Sequence, residues 1–375
     1  MEDQDARTPA HSQKKDKGFE YASQWQLMWW NFRKHKLAMV AGIVIIIMYL
    51  GAMFAEFIAP YDPNIRHRGY NQAPPQRVHF RDENGLSLRP FVYGYTQELD
   101  KRTFDRVFII NKQEKHPIRF FVRGDRYKLW GLVETDLHLF GVERGTLFLF
   151  GTDKLGRDLF SRIIYGGRIS MSVGLVGVFL GLVLGLIVGG ISGYYGGVID
   201  NLIQRGMEIL RCFPQIPLWM ALSAALPDYW TPIQVYFTIT MILSVLSWTN
   251  LARVTRGFVL SLKNEDFVMA ARLSGTSEAM IIARHLIPSF ISHIIAVLTL
   301  AIPGMILGET ALSFLGIGIR PPAISWGVLL QDAQNIHAIA KTPWQIIPIF
   351  FVIVFVLAFN FLGDGLRDAA DPYAR

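Results

Sequence analysis

Few side chains in this 375-residue sequence are spaced for covalent chemistry. Leu273-Ser274-Gly275-Thr276-Ser277 looks like a nucleotide-contacting signature, yet no GxxxxGK(S/T) phosphate loop occurs anywhere in the chain. Without that cradle of backbone amides the likeness is fortuitous. The glycine-rich run Gly185-Leu186-Ile187-Val188-Gly189-Gly190 lies in an uncharged stretch, where glycines serve close helix packing rather than phosphate binding. His285 and His293 stand eight residues apart with no carboxylate or cysteine arranged to complete a metal site. Ser223 and Ser244 could be nucleophiles, but no His in a facing apolar run is placed to act as their base. Glu309 has two readings, a carboxylate at the outer interface paired with Arg320 or a group of a transport pathway or gate. Cys212 is the only cysteine, so no internal disulfide forms. The sequence predicts no catalytic centre, no bound cofactor and no metal. It is not read as an enzyme.

The elements around these residues are those of a membrane protein. Hydrophobic residues make up 51% of the chain and fall in long uncharged runs. The clear runs are Leu37–Ala55, Ile169–Ser192, Trp230–Leu251, Ile287–Leu307 and Trp344–Leu362. A shorter one, Cys212–Leu226, is interrupted by Pro214 and Pro217. The net charge of +7 would suit nucleic acid, but much of the basic charge lies beside apolar runs, where it sets orientation. Arg33, Lys34, His35 and Lys36 precede the first run, and Arg253, Arg256, Lys263, Arg272 and Arg284 mark a later loop. Both groups are expected in the cytosol. An even number of crossings must then separate Ser192 from that loop, so Cys212–Leu226 is expected to cross as well. The expectation is six spans with both termini cytosolic. Residues 1–24 read as a tail without a cleavable signal, and Trp25, Trp29 and Trp30 place the next segment along the inner surface. Residues 60–166 read as an extracytoplasmic, partly β insertion. Pro117–Arg123 and Tyr127–Val133 are expected to be two strands turning at Gly124-Asp125.

The loop Asp266-Phe267-Val268-Met269-Ala270-Ala271-Arg272-Leu273-Ser274-Gly275, running on to Arg284-His285-Leu286-Ile287-Pro288, reads as two short helices with a break. Ala270 and Ala271 are small enough for another backbone to approach. Gly275 supplies the turn, Thr276 or Ser277 the cap of the second helix, and Pro288 limits its continuation.

The spacing Ala270-Ala271, Gly275, Pro288 resembles the "EAA" loop of ABC-importer permeases, whose short helix docks into a cleft of the ATPase subunit. Met269 stands where the motif opens with Glu, and its usual aliphatic-x-Leu-Pro ending reads His285-Leu286-Ile287-Pro288. Further stretches are similar to one subfamily, the second (C-type) permeases of oligopeptide, dipeptide and nickel importers. They are Gly151-Thr152-Asp153, Gly156-Arg157-Asp158, Ser161-Arg162 and Gly167-Arg168-Ile169-Ser170; Gly193-Tyr194-Tyr195-Gly196-Gly197 with Asp200; Ser313-Phe314-Leu315-Gly316, Pro321-Pro322 and Trp326-Gly327; and Asn360 to Asp368 with Asp371-Pro372. The resemblance covers roughly 25–60 and 150–375, and says little about 65–150.

It implies an all-α polytopic fold of six transmembrane helices, the type I ABC importer permease fold, with the insertion between the first two. The chain then divides into a cytosolic tail and interfacial segment 1–36, a first helix 37–58, the insertion 60–166, a transmembrane domain 167–368 holding the coupling loop 264–288, and a cytosolic tail 369–375. Met269, Ala270, Ala271, Gly275, Arg284, His285 and Pro288 would form the ATPase-coupling loop. The implied partners are a second homologous permease, two ABC ATPase subunits carrying ATP and magnesium, an extracytoplasmic substrate-binding protein and membrane lipid in the bacterial inner membrane. Peptides are the expected cargo, with oligosaccharides or nickel chelates as alternatives. An ion-coupled secondary carrier would need ionisable groups in mid-span, and the runs are almost free of them.

Overall fold

The computed structural model describes residues 24–82, 85–99, 101, 106–334 and 336–370. The expected tails, residues 1–23 and 371–375, lie outside them. A backbone in hydrocarbon must satisfy its own polar groups, so the apolar runs become helices. Five helices among the described residues are long and apolar enough to cross a membrane. In chain order the elements begin with α1 (Gln24–Phe32), α2 (Lys36–Met53) and α3 (Ala55–Ile58). Strands β1 (His79–Asp82), β2 (Gly85–Leu99), β3 (Arg106–Pro117), β4 (Arg119–Leu129) and β5 (Val133–Gly141) follow. Then come α4 (Leu159–Tyr195), α5 (Gly197–Cys212), α6 (Gln215–Ala224) and α7 (Pro232–Leu262). The loop helices are α8 (Asp266–Leu273) and α9 (Glu278–Met280), the latter running through a π-helical turn Ile281–Leu286 into α10 (Ile287–Ser289). The chain closes with α11 (Ile291–Phe314), α12 (Trp326–Gln331), α13 (Ile336–Lys341) and α14 (Ile347–Ala370).

The sixth crossing follows from how α4 and α7 pack. Tyr236 Oη donates to Ser172 Oγ at 3.0 Å, Ser244 Oγ to the Gly177 carbonyl at 3.1 Å, and Lys263 Nζ to the Gly193 carbonyl at 3.4 Å. Positions rise together in both helices, so α4 and α7 run parallel. From Ser172 to Gly193 the rise is about 30 Å, the thickness of the hydrocarbon core. The chain between Gly196 and Thr231 must therefore return along that whole length, and α5 and α6, broken at Phe213-Pro214, are what it returns through. Neither piece is long enough alone.

Glycines make this parallel pair close. Gly177, Gly181, Gly185, Gly189 and Gly193 face α7, and a Cβ at Gly189 would lie 2.4 Å from the Ala252 carbonyl oxygen. The same run that could be mistaken for a phosphate loop is a helix-packing face. The main buried cluster joins α2, α4, α7, α11, α12 and α14 through residues such as Ile163, Leu243, Ile306, Trp326 and Phe355.

Helix α4 begins at Leu159, so the expected domain boundary at 166/167 falls within one helix. Its first turn carries polar residues with local partners, although Asp158 Oδ1 and Arg162 Nε are buried without a hydrogen bond. Asp158 caps it by accepting from Ser161 N at 2.8 Å, and Asp153 pairs with Arg162 and, at 2.7 Å, with Arg157.

The insertion is an antiparallel sheet β1-β2-β3 and a separate hairpin β4–β5. Gly124-Asp125 is not the hairpin turn. It lies at a register shift within the single strand β4, between Arg123 and Tyr127, and the chain reverses at Trp130–Leu132. The ring of His138 decides this. It occupies the space beside Gly124, where a Cβ would come within 2.8 Å of it, and its Nε2 lies 3.0 Å from the Asp125 carbonyl.

Candidate functional site: the loop at the base of α4 and α7

The loop between α7 and α11 is held by the end of α4. Arg272 lies 5.1 Å over the ring of Tyr194 and donates through Nε to its hydroxyl at 3.2 Å. Tyr195 Oη donates to Glu278 Oε2 at 2.7 Å. Beneath these contacts Val268, Ala271, Ile281 and Leu286 pack with Tyr194, Leu251, Val259 and Phe290. Beside them Asp200 of α5 accepts from Arg256 of α7 and Ser192 of α4. Two motifs far apart in the sequence, Gly193–Asp200 and 264–288, thus form one structure.

The individual residues divide by side. Met269 and Ala270 are exposed, whereas Ala271 is buried against the chain's own core. The pair is therefore not one docking face: helical spacing turns Ala271 inward with Val268. Gly275 has φ +77° and ends α8, with Thr276 N donating to the Ala271 carbonyl at 3.1 Å. Ser277 takes the N-cap position of α9, but its side chain makes no capping bond. Arg284 and Pro288 are exposed and His285 is half-buried. The chain runs helically through Pro288, which follows the π-helical turn Ile281–Leu286 and does not end the helix; the C-cap is Phe290.

The loop exposes charged side chains such as Asp266 and Arg284, and large apolar ones beside them. Phe267, Met269, Leu273 and Met280 are exposed, Leu273 to 88%. Sequence reasoning missed Leu273, and it also missed Tyr194, Tyr195, Arg272 and Glu278 as the residues that fasten the loop. The available signal was two tyrosines closing an apolar run, which needs a partner at that depth. An exposed apolar tip thus sits on a short helix that packed side chains tie to the ends of two long helices.

Glu309 lies at the other end of the molecule, fully buried at 0% exposure. It accepts from Ser170 Oγ at 3.0 Å and from Ser313 Oγ at 2.8 Å. Each serine in turn accepts a backbone N–H of the segment that follows α11, Trp326 N at 3.0 Å and Ile319 N at 3.0 Å. The expected partner, Arg320, pairs with Asp228 instead. Glu309 therefore lines no open pathway in this conformation. It gathers α4, α11 and the loop before α12.

Asp158 is buried at the same end, and burial pushes its carboxyl up to about 7, with nearby Asp153 adding to the rise. Its unfolded value is about 3.9. A raised folded pKa means that the contribution to stability is complete below about pH 4 and is lost as pH rises through 7. We expect the protein's melting temperature to fall between pH 5 and pH 8.5. Asp158→Asn keeps the capping oxygen without the charge, and the melting temperature of that variant should fall less than the wild type's over the same range. A flat wild-type profile would contradict the assignment.

Known proteins place these features. The model of the "Binding-protein-dependent transport system inner membrane component" family matches residues 177–375, and that of the "N-terminal TM domain of oligopeptide transport permease C" matches residues 23–75. The oligopeptide transport system permease protein OppC of Haemophilus influenzae is 43% identical over 227 residues, 60% of this chain and 70% of that protein. The glutathione transport system permease protein GsiD of Shigella dysenteriae is 32% identical over 348 residues, 93% of this chain and 90% of that protein. Among solved structures, an inward-facing MetNI methionine ABC transporter chain aligns at 18% identity with a TM-score of 0.44, covering 57% of this chain and 98% of that one. With five long apolar helices and a matched core that includes the fastened loop, the chain belongs to the family of binding-protein-dependent transport-system inner membrane components, the multi-span permease subunits of ABC importers.

Proposed function

We propose that this chain carries peptides, pairing with a second, homologous permease so that each supplies half of the pathway. The observation that carries the mechanism is the apolar tip Leu273 on a loop fastened to α4 by Tyr194 and Tyr195. In this reading two ATPase subunits, which bind ATP and magnesium, receive the tips of the two permeases. Their closure pushes α8 against the bases of α4 and α7 and switches the pathway between its outward and inward states. A substrate-binding protein delivers the cargo on the opposite side, where Glu309 keeps the outer loop in place. The relatives' oligopeptide and glutathione substrates favour a peptide cargo over oligosaccharides or nickel chelates.

In this reading both termini and α8 lie in the cytosol, which the basic residues Arg33–Lys36 and those of the loop support. On a Cys212→Ser background, Ser277→Cys should be labelled by an impermeant thiol reagent only in inverted vesicles; labelling from outside would reverse the topology. The cargo is tested on the reconstituted importer. Binding protein loaded with short peptides should stimulate ATP hydrolysis several-fold over the unloaded protein, and stimulation by oligosaccharide or nickel chelate alone would replace the peptide reading.

A further inference from the structure

Hairpin β4–β5 does not stand free of the helices. Trp130 Nε1 donates to the Met53 carbonyl at 2.8 Å, and the Trp130 ring lies 5.4 Å from Phe54. Further along, His138 Nδ1 lies 2.7 Å from the Ala59 carbonyl, and the rings of Phe121 and Phe57 are 6.3 Å apart. These contacts strap the hairpin across the end of α2 and over α3.

Between hairpin and helices a cavity of about 880 Å³ remains, within the roughly 300–1,000 Å³ of ligand sites. Its walls include Ile47 and Leu50 of α2, Ile163 and Ile164 of α4, and Leu129 and Leu139 of the hairpin. Almost nothing polar faces it. A peptide, with charged ends and a polar backbone, finds no partner there, and water gains none either.

The cavity continues the membrane-facing surface of α2. Ile43, Ile46, Ile47 and Leu50 are all exposed on that helix, and the last two also line the cavity. On a spanning helix such a stripe meets lipid. The hairpin tip agrees in depth and character: Trp130 sits at the level of Met53, where a spanning helix leaves the hydrocarbon, and tryptophan favours that layer. Leu132 beyond it is 82% exposed, and Val133 is also exposed. An apolar tip at this level belongs among lipid tails and headgroups rather than in water.

We propose that this cavity is a lipid site, holding an acyl chain of a phospholipid from the leaflet on the hairpin's side, with β4–β5 as the strap that retains it. The proposal needs only that α2 spans the membrane; it does not depend on the cargo. Part of the insertion then serves to seat the permease in its bilayer.

Gly51 provides a clean test. It lines the cavity, and a Cβ added there meets nothing within 4 Å, so a large side chain can fill the space without disturbing α2. The assembled importer is reconstituted in vesicles of phosphatidylethanolamine and phosphatidylglycerol, doped with a phospholipid carrying a diazirine near the methyl end of one chain. After illumination, peptide mass spectrometry should find lipid adducts on Leu129, Leu139 and Ile164. Gly51→Trp should reduce these at least tenfold and leave adducts on Ile43 and Ile46 unchanged. Val133→Trp, from the opposite and exposed wall, should do the same and covers the case in which Gly51→Trp fails to assemble. Equal cavity labelling in wild type and variants overturns the proposal. So does labelling confined to Ile43 and Ile46, or a cavity wall that cross-links to another subunit instead.

Discussion

Leu273→Asp is expected to leave the chain folded and membrane-inserted, yet to cut cargo-stimulated ATP hydrolysis of the assembled importer about thirtyfold. The magnitude is that of losing one interface hot spot of about 2 kcal/mol. Leu273 is 88% exposed, so its replacement removes no packing from this chain. In an apolar cleft of a partner, by contrast, an unpaired carboxylate is strongly disfavoured. Ala271→Trp serves as the contrasting variant. Ala271 is buried with Val268 and Ile281, so tryptophan there must unseat the loop itself and should lower thermal stability as well as coupling. Ordinary stimulation and transport by Leu273→Asp would show that the tip is not the element through which force is received.

Gly189→Leu should abolish stable protein altogether. The added Cβ would meet the Ala252 carbonyl at 2.4 Å and Thr255 Cβ at 2.8 Å, and a backbone atom cannot rotate away as a side chain can. Relief requires α4 and α7 to separate, which undoes the glycine contacts on either side, at a cost above the roughly 1–3 kcal/mol of ordinary overpacking. Detergent-extracted variant protein should elute as aggregate in size-exclusion chromatography. Gly206→Leu is the control, because a Cβ there meets nothing within 4 Å and the peak should stay monodisperse. A well-behaved Gly189→Leu protein would mean that the parallel pair is looser than its contacts imply, and with it the argument for a full return through α5 and α6 would weaken.

Much of this protein is written locally. Uncharged runs of spanning length determine helices wherever a bilayer is the solvent, so the five long helices were legible from hydropathy alone. Their ends were not. Helix α4 starts ten residues before the uncharged run Ile169–Ser192, at Leu159, because Asp158 caps its first turn and Asp153 pairs with Arg162, and hydropathy cannot register a partner. The marginal segment Cys212–Leu226 needed charge bookkeeping to be read as a crossing. The structure gives the reason independently, since two parallel helices demand a return between them.

The loop with Ala270-Ala271, Gly275 and Pro288 was also legible, because glycine and proline impose backbone geometry whatever surrounds them. Which side of it faces out was not. Only the core beneath it decides that Ala271 turns inward and that Leu273, Met269 and Phe267 turn outward. Glu309 was visible as an anomalous carboxylate with two readings, and the pairing with Arg320 is not the one formed: the hydroxyls of Ser170 and Ser313 supply its hydrogen bonds, and Arg320 pairs with Asp228. The strands of the insertion were legible as alternation, and their turn was misplaced because the His138 ring, fixed from another strand, made Gly124 a site of close approach rather than of reversal. Composition and chain-local geometry thus determined what kind of molecule this is and where its segments lie. Which side chains meet, and so which face of the loop a partner finds, is a matter of packing between segments distant in the chain, and only the tertiary structure decides it.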